Sequence, residues 1–98
     1  MYARVTILSA KKGGAAEAVR IYSDSILPAA RKQKGYRGSY VLVDWAEDKG
    51  ITLTLWDSEA AALANEENRY YQEQLVKVMH LFAAPPVREG YEVAVENR

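Results

Sequence analysis

The sole histidine is the first residue to consider for chemistry. His80 has the side chain that most often exchanges protons near neutral pH, so its type suits a general base. Its neighbours Met79 and Leu81 are apolar, and no nearby carboxylate is available to orient the imidazole. We carry His80 as a pocket candidate, with a structural role as the alternative.

A second set of candidates surrounds one tryptophan. Trp56 ends a predicted strand and shares a face with Thr52 and Thr54, a polar lining that indicates a cavity more than a dry core. Tyr22 and Tyr71 lie on predicted helices and add rings with hydroxyl groups. These five residues and His80 are the predicted ligand-pocket residues. The alternative is that the aromatic residues pack the core or an interface, where Tyr and Trp are common.

The sequence argues against most cofactor chemistry. It contains no Cys and one His, so it has no thiolate nucleophile and too few ligands for a dedicated transition-metal site. Lys12-Gly13-Gly14 lacks the Lys and hydroxyl spacing of a phosphate-binding loop. We therefore expect no cofactor and no metal.

The charge balance and the N-terminus limit the partners. Lys plus Arg equals Asp plus Glu at 13 each, so no overall field attracts nucleic acid, and the strands lack the paired aromatic motifs of RNA-binding sheets. The chain enters a predicted strand at Tyr2 without a signal-peptide pattern, and no stretch has the roughly 20 apolar residues of a membrane span. We expect a cytoplasmic protein that binds neither nucleic acid nor membrane.

Four strands and two helical regions are predicted. The strands are Tyr2 to Ser9, Tyr36 to Trp45, Ile51 to Trp56 and Val87 to Val95. The first helix begins at Ala15 and carries an apolar stripe through Val19, Tyr22 and Ile26, and Pro28 is expected to kink or end it. The Asp48-Lys49-Gly50 turn joins the second and third strands as a hairpin.

The second helical region is predicted in two parts. Asp57 or Ser58 caps its start, and Asn65 to Asn68 interrupts it. A further stripe through Tyr71, Leu75, Val78 and Phe82 continues to the residues before Ala84-Pro85-Pro86. The whole chain then reads β-α-β-β-α-β.

This order predicts the fold class. A β-α-β-β-α-β chain of 98 residues is expected to form one α+β domain, residues 1–98, with a ferredoxin-like antiparallel sheet and helices on one face. The second strand sends Tyr36, Gly38, Tyr40, Leu42 and Asp44 to one face and Arg37, Ser39, Val41, Val43 and Trp45 to the other. Because helices can cover one face only, apolar side chains on both faces predict a second copy of the same sheet, and hence a homodimer.

Several segments resemble the dimeric α/β-barrel superfamily, most closely its antibiotic-biosynthesis-monooxygenase-like branch. They are Leu27-Pro28, Lys34-Gly35-Tyr36-Arg37-Gly38, Leu55-Trp56-Asp57-Ser58-Glu59 and Pro85-Pro86-Val87 with Tyr91-Glu92-Val93. The resemblance spans nearly the whole chain. It implies a ferredoxin-like protomer whose sheet packs on a partner sheet to form a barrel, with a cavity between sheet and helices.

The resemblance implies less about activity. The cofactor-independent oxygenases of this branch share Trp56, but Thr52 stands where they have Asn, Ala62 where they have Tyr, and Val76 near their Arg. The haem-degrading members have an Asn on the first strand, which is absent here, and a Trp and a His at the positions of Asn65 and Leu75. Haem degradation is therefore not expected.

Two functional hypotheses follow. The first is a homodimer that binds a small aromatic or apolar molecule between sheet and helices, as a candidate cofactor-independent monooxygenase. The second is a non-catalytic structural or regulatory dimer whose cavity is closed. An open pocket lined by Trp56 and tyrosines would favour the first hypothesis.

Overall fold

The computed structural model describes residues 1–98, and it confirms the predicted order of elements. The strands are β1 (Tyr2–Ser9), β2 (Tyr36–Asp44), β3 (Lys49–Trp56) and β4 (Val87–Glu92). The α-helices are α1 (Gly14–Ile21), α2 (Leu27–Ala30), α3 (Glu59–Glu67) and α4 (Tyr70–Leu75). No helix combines the length and the apolarity that crossing a membrane requires.

The strands form one antiparallel sheet in the order β2-β3-β1-β4. The two central strands pair along their whole length, from Tyr2 opposite Trp56 to Ser9 opposite Lys49. Strands β2 and β3 form the predicted hairpin, and the two helix-containing connections carry the chain across the sheet. This is the predicted ferredoxin-like α+β fold.

The first helix is interrupted just before Pro28, in line with the predicted kink or end, because the regular α-helix α1 stops at Ile21. The chain remains helical to Ala30, because a π-helical turn at Tyr22–Ile26 joins α1 to α2. In this wide turn the N–H of Leu27 donates to the carbonyl of Tyr22, five residues earlier. Pro28 then falls in the first turn of α2, where its missing N–H removes no essential helix bond.

The second helical region agrees with the prediction in its first part. Ser58 caps α3 by accepting a hydrogen bond from the Ala61 N–H at 3.1 Å, and the helix is interrupted near the predicted place: it includes Asn65, ends at Glu67, and is separated from α4 by Asn68 and Arg69, whose φ is 72°. The predicted stripe through Val78 and Phe82 is not one helix.

After α4 the chain instead makes a 3₁₀ turn at Met79–Leu81. The reason is tertiary: Lys11 N–H donates to the Leu81 carbonyl at 2.7 Å, and Ala83 N–H donates to the Ser9 carbonyl at 2.8 Å. These bonds attach the segment to the end of β1, and that attachment outweighs the helical pattern.

The fourth strand is shorter than predicted, ending at Glu92 instead of Val95. Its only neighbour is β1, whose first residue Tyr2 lies opposite Glu92. The N–H of Val93 makes one more bond, to the Met1 carbonyl at 3.0 Å. Beyond that point no strand remains to pair with.

The residues of β2 divide between the two faces of the sheet as predicted, with one correction at the start of the strand. A β-bulge between Tyr36 and Gly38 shifts the alternation, so that Tyr36 lies on the helix-covered face with Ser39. The Tyr36 hydroxyl and Ser39 Oγ are 2.8 Å apart. Just before the strand, Gly35 has φ 86°, and a Cβ there would lie 2.7 Å from that of Ala61, so only glycine lets this loop pack on α3.

Candidate functional site

A cavity of about 150 Å³ lies between the sheet and the helices. The sheet contributes alternate residues of its helix-covered face, including Thr6, Val41 and Thr52. The helices contribute mostly apolar side chains, such as Val19 and Leu75. The cavity is therefore largely apolar, with polar groups concentrated on the sheet side and at one end.

Trp56 forms part of the cavity wall and is the largest buried side chain of the protein, with 5% of its surface exposed. Its ring meets that of Tyr36 edge to face, with centroids 6.1 Å apart and planes at 84°. The shift caused by the β-bulge brings Tyr36 to this position. The contact fixes the tryptophan against the cavity.

Threonines line the sheet side of the cavity. Thr52 and Thr54 on β3 both line it, and Thr52 lies opposite Thr6 of β1 in the strand register. Three hydroxyl groups on neighbouring strands give the apolar space a polar floor that can donate or accept hydrogen bonds.

Three tyrosines line the helix side. Burial raises the pKa of Tyr22 above its ordinary value, and it does the same for Tyr70 and Tyr71. Each phenol therefore remains protonated at neutral pH. These side chains can donate hydrogen bonds to a ligand but do not serve as phenolate bases there.

A partly buried ion cluster closes one end of the cavity. Glu66 of α3 accepts hydrogen bonds at one oxygen, Oε1, from Arg4 Nε at 2.8 Å and from Arg88 Nη1 at 2.8 Å. Arg4 Nη2 lies 2.6 Å from the same oxygen. Two guanidinium groups thus share one carboxylate, so the cluster carries one net positive charge.

Arg88 is held by more than Glu66. Its Cζ lies 3.5 Å from the ring centroid of Tyr71, in a cation–π contact. Its Nε is buried and has no hydrogen-bond partner.

Gly90, two residues after Arg88 on β4, leaves room for the Arg4 side chain. A Cβ at this position would overlap the Tyr2 hydroxyl and lie 2.8 Å from Arg4 Nη1.

Two buried amides complete the lining. Asn65 of α3 is 5% exposed and donates from Nδ2 to the Ala61 carbonyl at 2.7 Å, while its Oδ1 accepts no hydrogen bond from the protein. Gln74 of α4 accepts at Oε1 from Lys77 Nζ at 2.7 Å. Asn65 therefore offers the cavity a free acceptor, whereas the Gln74 oxygen is already occupied and only its Nε2 has no partner in the protein.

The structure brings five of the six predicted pocket residues to one cavity and leaves out the sixth. The five that line it are Trp56, Thr52, Thr54, Tyr22 and Tyr71. His80 does not line the cavity and lies exposed in the Met79–Leu81 turn. No group of three or more His, Cys, Asp or Glu lies close enough to hold a metal ion.

The positions compared with the cofactor-independent oxygenases and with the haem-degrading members also divide into those that line the cavity and one that does not. Thr52, Ala62, Asn65 and Leu75 all line the cavity. Val76 does not, and 61% of its surface is exposed. The departures at Thr52 and Ala62 therefore change the interior of the cavity itself.

The ion cluster was not predicted, although the sequence contains a signal for it. Arg4 and Arg88 occupy strand positions of the same parity as Thr6, and Glu66 lies four residues after Ala62 on the inward side of α3. Charged residues at inward positions of two neighbouring strands and a facing helix predict a buried ion pair. The pairing of β1 with β4 was needed to bring them together.

No protein-family model matches the sequence, and no curated protein matches it. Solved structures do match over nearly the whole chain. A Nitrosomonas europaea protein of unknown function, NE2512, is 22% identical with a TM-score of 0.78, covering 99% of this chain and 92% of its own.

Two oxygenases of Streptomyces also match. SnoaB of Streptomyces nogalater, a cofactor-independent oxygenase, is 10% identical with a TM-score of 0.80, covering 97% of this chain and 94% of its own. The ActVA-Orf6 monooxygenase of Streptomyces coelicolor, solved with the ligand nanaomycin D, is 13% identical with a TM-score of 0.74, covering 99% of this chain and 92% of its own. The resemblance to the antibiotic-biosynthesis-monooxygenase-like fold is therefore confirmed at the level of the fold.

Proposed function

We propose that this chain binds a small aromatic or apolar molecule in the cavity between sheet and helices. The observation that carries the proposal is the cavity itself, with Trp56 as a rigid aromatic wall and threonine and tyrosine hydroxyls around it. Apolar cavities with a few convergent polar groups are the usual form of a small-molecule site. A solved oxygenase of the same fold holds the ligand nanaomycin D.

The volume of the cavity limits the ligand. An engineered protein cavity of about 150 Å³ binds benzene, and this cavity has about the same size. The proposal is therefore a molecule with a single aromatic ring. A ligand with several fused rings would require the helices to move outward.

Fluorescence of Trp56 tests this proposal. The other tryptophan, Trp45, is 60% exposed in the turn after β2, so the Trp45→Phe variant leaves Trp56 as the only tryptophan, which can be excited selectively over the tyrosines. Titration of this variant with benzyl alcohol is expected to change the emission in a saturable way. Leu75→Phe narrows the cavity without adding a tryptophan and is expected to weaken the response, whereas Leu63→Phe on the outer side of α3 is not. A non-saturable response, or none, contradicts the proposal.

We also propose that the protein is a homodimer formed through the open face of the sheet. This face carries the exposed side chains of Ile7, Tyr40, Leu42, Val87 and Tyr91. A contiguous apolar surface of this kind is characteristic of an interaction site. Only ten of the 98 residues are buried in the isolated chain, so a second sheet would add much of the burial that the chain lacks.

The candidate activity is monooxygenation without a cofactor. In such a reaction the substrate supplies all the electrons: a CH₂ group between aromatic rings and one O₂ become a C=O group and one water. Likeness to two Streptomyces oxygenases supports this activity, and so does Trp56. Oxygen uptake is the test, both with single-ring quinols, which match the cavity volume, and with anthrones, whose fused rings require the helices to move outward. Trp56→Phe is the comparison, and uptake equal to that of a protein-free solution contradicts the activity.

A non-catalytic dimer is the second candidate. Ala62 offers the cavity only a methyl group, and Thr52 offers a hydroxyl where the oxygenases have an amide. These departures favour binding without turnover. Saturable binding of a substrate-like ring without oxygen uptake would distinguish this candidate from the oxygenase.

A further inference from the structure

The charges around the cavity are unequal. Five charged residues line it: Arg4, Asp48, Lys49, Glu66 and Arg88. Three are positive and two are negative, which leaves one net positive charge. The carboxylate of Asp48 already accepts hydrogen bonds from the backbone N–H groups of Gly13 and Ala15, at 3.1 and 3.2 Å. The excess positive charge therefore lies at the end formed by Arg4, Glu66 and Arg88.

The two arginines of this cluster use different edges of their guanidinium groups. Arg4 directs Nε and Nη2 at Glu66 Oε1, so its side edge is filled. Arg88 reaches the same oxygen through Nη1 only, and its Nε is buried without an acceptor. An edge made of Nε–H and Nη2–H matches the two oxygens of a carboxylate.

The position of this free edge is fixed. The guanidinium of Arg88 is stacked on the Tyr71 ring and tied to Glu66, so two contacts hold it in one orientation. A buried N–H without an acceptor costs about 1–3 kcal/mol, and a ligand oxygen that reaches it would remove that cost. A preorganised donor of this kind favours a ligand that brings an acceptor and a negative charge.

We propose that the cavity binds an aromatic carboxylate, with its ring in the apolar space and its carboxylate on the Nε/Nη2 edge of Arg88. This assignment rests on the proposed aromatic-binding function and names its ligand class. The added negative charge balances the single excess positive charge of the cluster. One oxygen meets Nη2, which makes no hydrogen bond within the protein, and the other takes up the unpaired Nε–H.

The test compares benzoate with its neutral analogue benzyl alcohol, by calorimetric titration at neutral pH. Benzoate is expected to bind at least about ten-fold more tightly, because a charge-assisted bidentate pair is stronger than a single neutral hydrogen bond. Arg88→Met is expected to lose at least about ten-fold more affinity for benzoate than for benzyl alcohol. Glu66→Gln raises the net charge of the cluster and is expected to tighten benzoate binding, a change opposite in direction to that of Arg88→Met.

Two controls keep this test decisive. Arg37→Met removes an arginine whose pair with Asp57 lies on the surface, so it is expected to bind both ligands as the unmodified protein does. If Arg88→Met does not fold, Arg88→Lys is the second variant. It keeps the positive charge but loses the paired Nε–H and Nη2–H donors, so the preference of this variant for benzoate over benzyl alcohol is expected to be smaller than that of the unmodified protein.

The outcomes separate this proposal from the one on which it rests. Binding of benzyl alcohol with no preference for benzoate overturns the carboxylate assignment and leaves the aromatic cavity in place. Equal loss for both ligands in Arg88→Met also overturns it. Binding of neither ligand overturns the carboxylate assignment together with the proposed function.

Discussion

The guanidinium of Arg88 lies over the aromatic ring of Tyr71, with its Cζ 3.5 Å from the ring centroid. The contact joins β4, at the edge of the sheet, to α4 on its helix-covered side. Both side chains also line the cavity. The same contact therefore closes the sheet edge against the helices and positions the charged end of the site.

The first prediction concerns the energy of this contact. Tyr71→Leu removes the ring, and we expect it to remove an interaction free energy of about 1 kcal/mol between residues 71 and 88. Cation–π pairs contribute about 0.5–2 kcal/mol to stability. A double-mutant cycle with Arg88→Met, followed by urea unfolding, measures this coupling apart from the lost burial. Tyr71→Phe keeps the ring and is expected to retain most of it. A coupling near zero for the Leu cycle would contradict the interpretation.

The second prediction concerns the turn between β2 and β3. Asp48 caps α1 from 33 residues away, because Gly13 at the start of the helix has no side chain to do so. Asp48→Ala is expected to destabilise the protein by about 1–2 kcal/mol in urea unfolding. Asp48→Asn is expected to lose less, since it keeps one acceptor and tolerates the φ of 51°.

The neighbouring Glu47 provides the control for this prediction. Its side chain lies exposed in the same turn, so Glu47→Ala is expected to change the free energy of unfolding by less than about 0.5 kcal/mol. Equal losses at the two positions would show that the turn's acidic character matters and that the cap does not.

The third prediction concerns high pH. Burial raises the pKa of Tyr22, Tyr70 and Tyr71 above the ordinary value of 10.0, so the unfolded chain loses these protons at a lower pH than the folded protein does. Stability is therefore expected to be intact below pH 10 and to fall as the pH rises above it. Urea unfolding at pH 8 and pH 11 measures the loss. Tyr70→Phe is expected to lose less between these pH values, and an equal loss would contradict the assignment to Tyr70.

The fold could be predicted because strand and helix patterns with strong turn signals are local. The predicted bounds of β1 match the structure, and Ser58 caps α3 as its position indicated. The errors arose where a distant segment decides the local structure. The Met79–Leu81 turn is held by backbone bonds to the end of β1, and β4 ends where β1 has no further residue to offer.

The candidate site was predictable on the sheet side and not at its charged end. Alternation along β3 placed Thr52, Thr54 and Trp56 on one face, and all three line the cavity. Arg4 and Arg88 come from strands 84 positions apart in the chain, so their meeting at Glu66 depends on the pairing of β1 with β4. His80 was a candidate by residue type alone, and it lies exposed in the Met79–Leu81 turn, away from the cavity.

The last prediction concerns the open face of the sheet. Leu42, Ile51, Ile7 and Val87 form one row across all four strands, and Leu42 is 53% exposed. In a two-fold symmetric dimer each substitution occurs twice at the same interface, so Leu42→Lys places two like charges in it. Light scattering at micromolar concentration is expected to give twice the chain mass for the unmodified protein and the monomer mass for Leu42→Lys. Val76→Lys, at a 61% exposed position after α4, is expected to remain dimeric. A monomeric unmodified protein would overturn the proposed dimer.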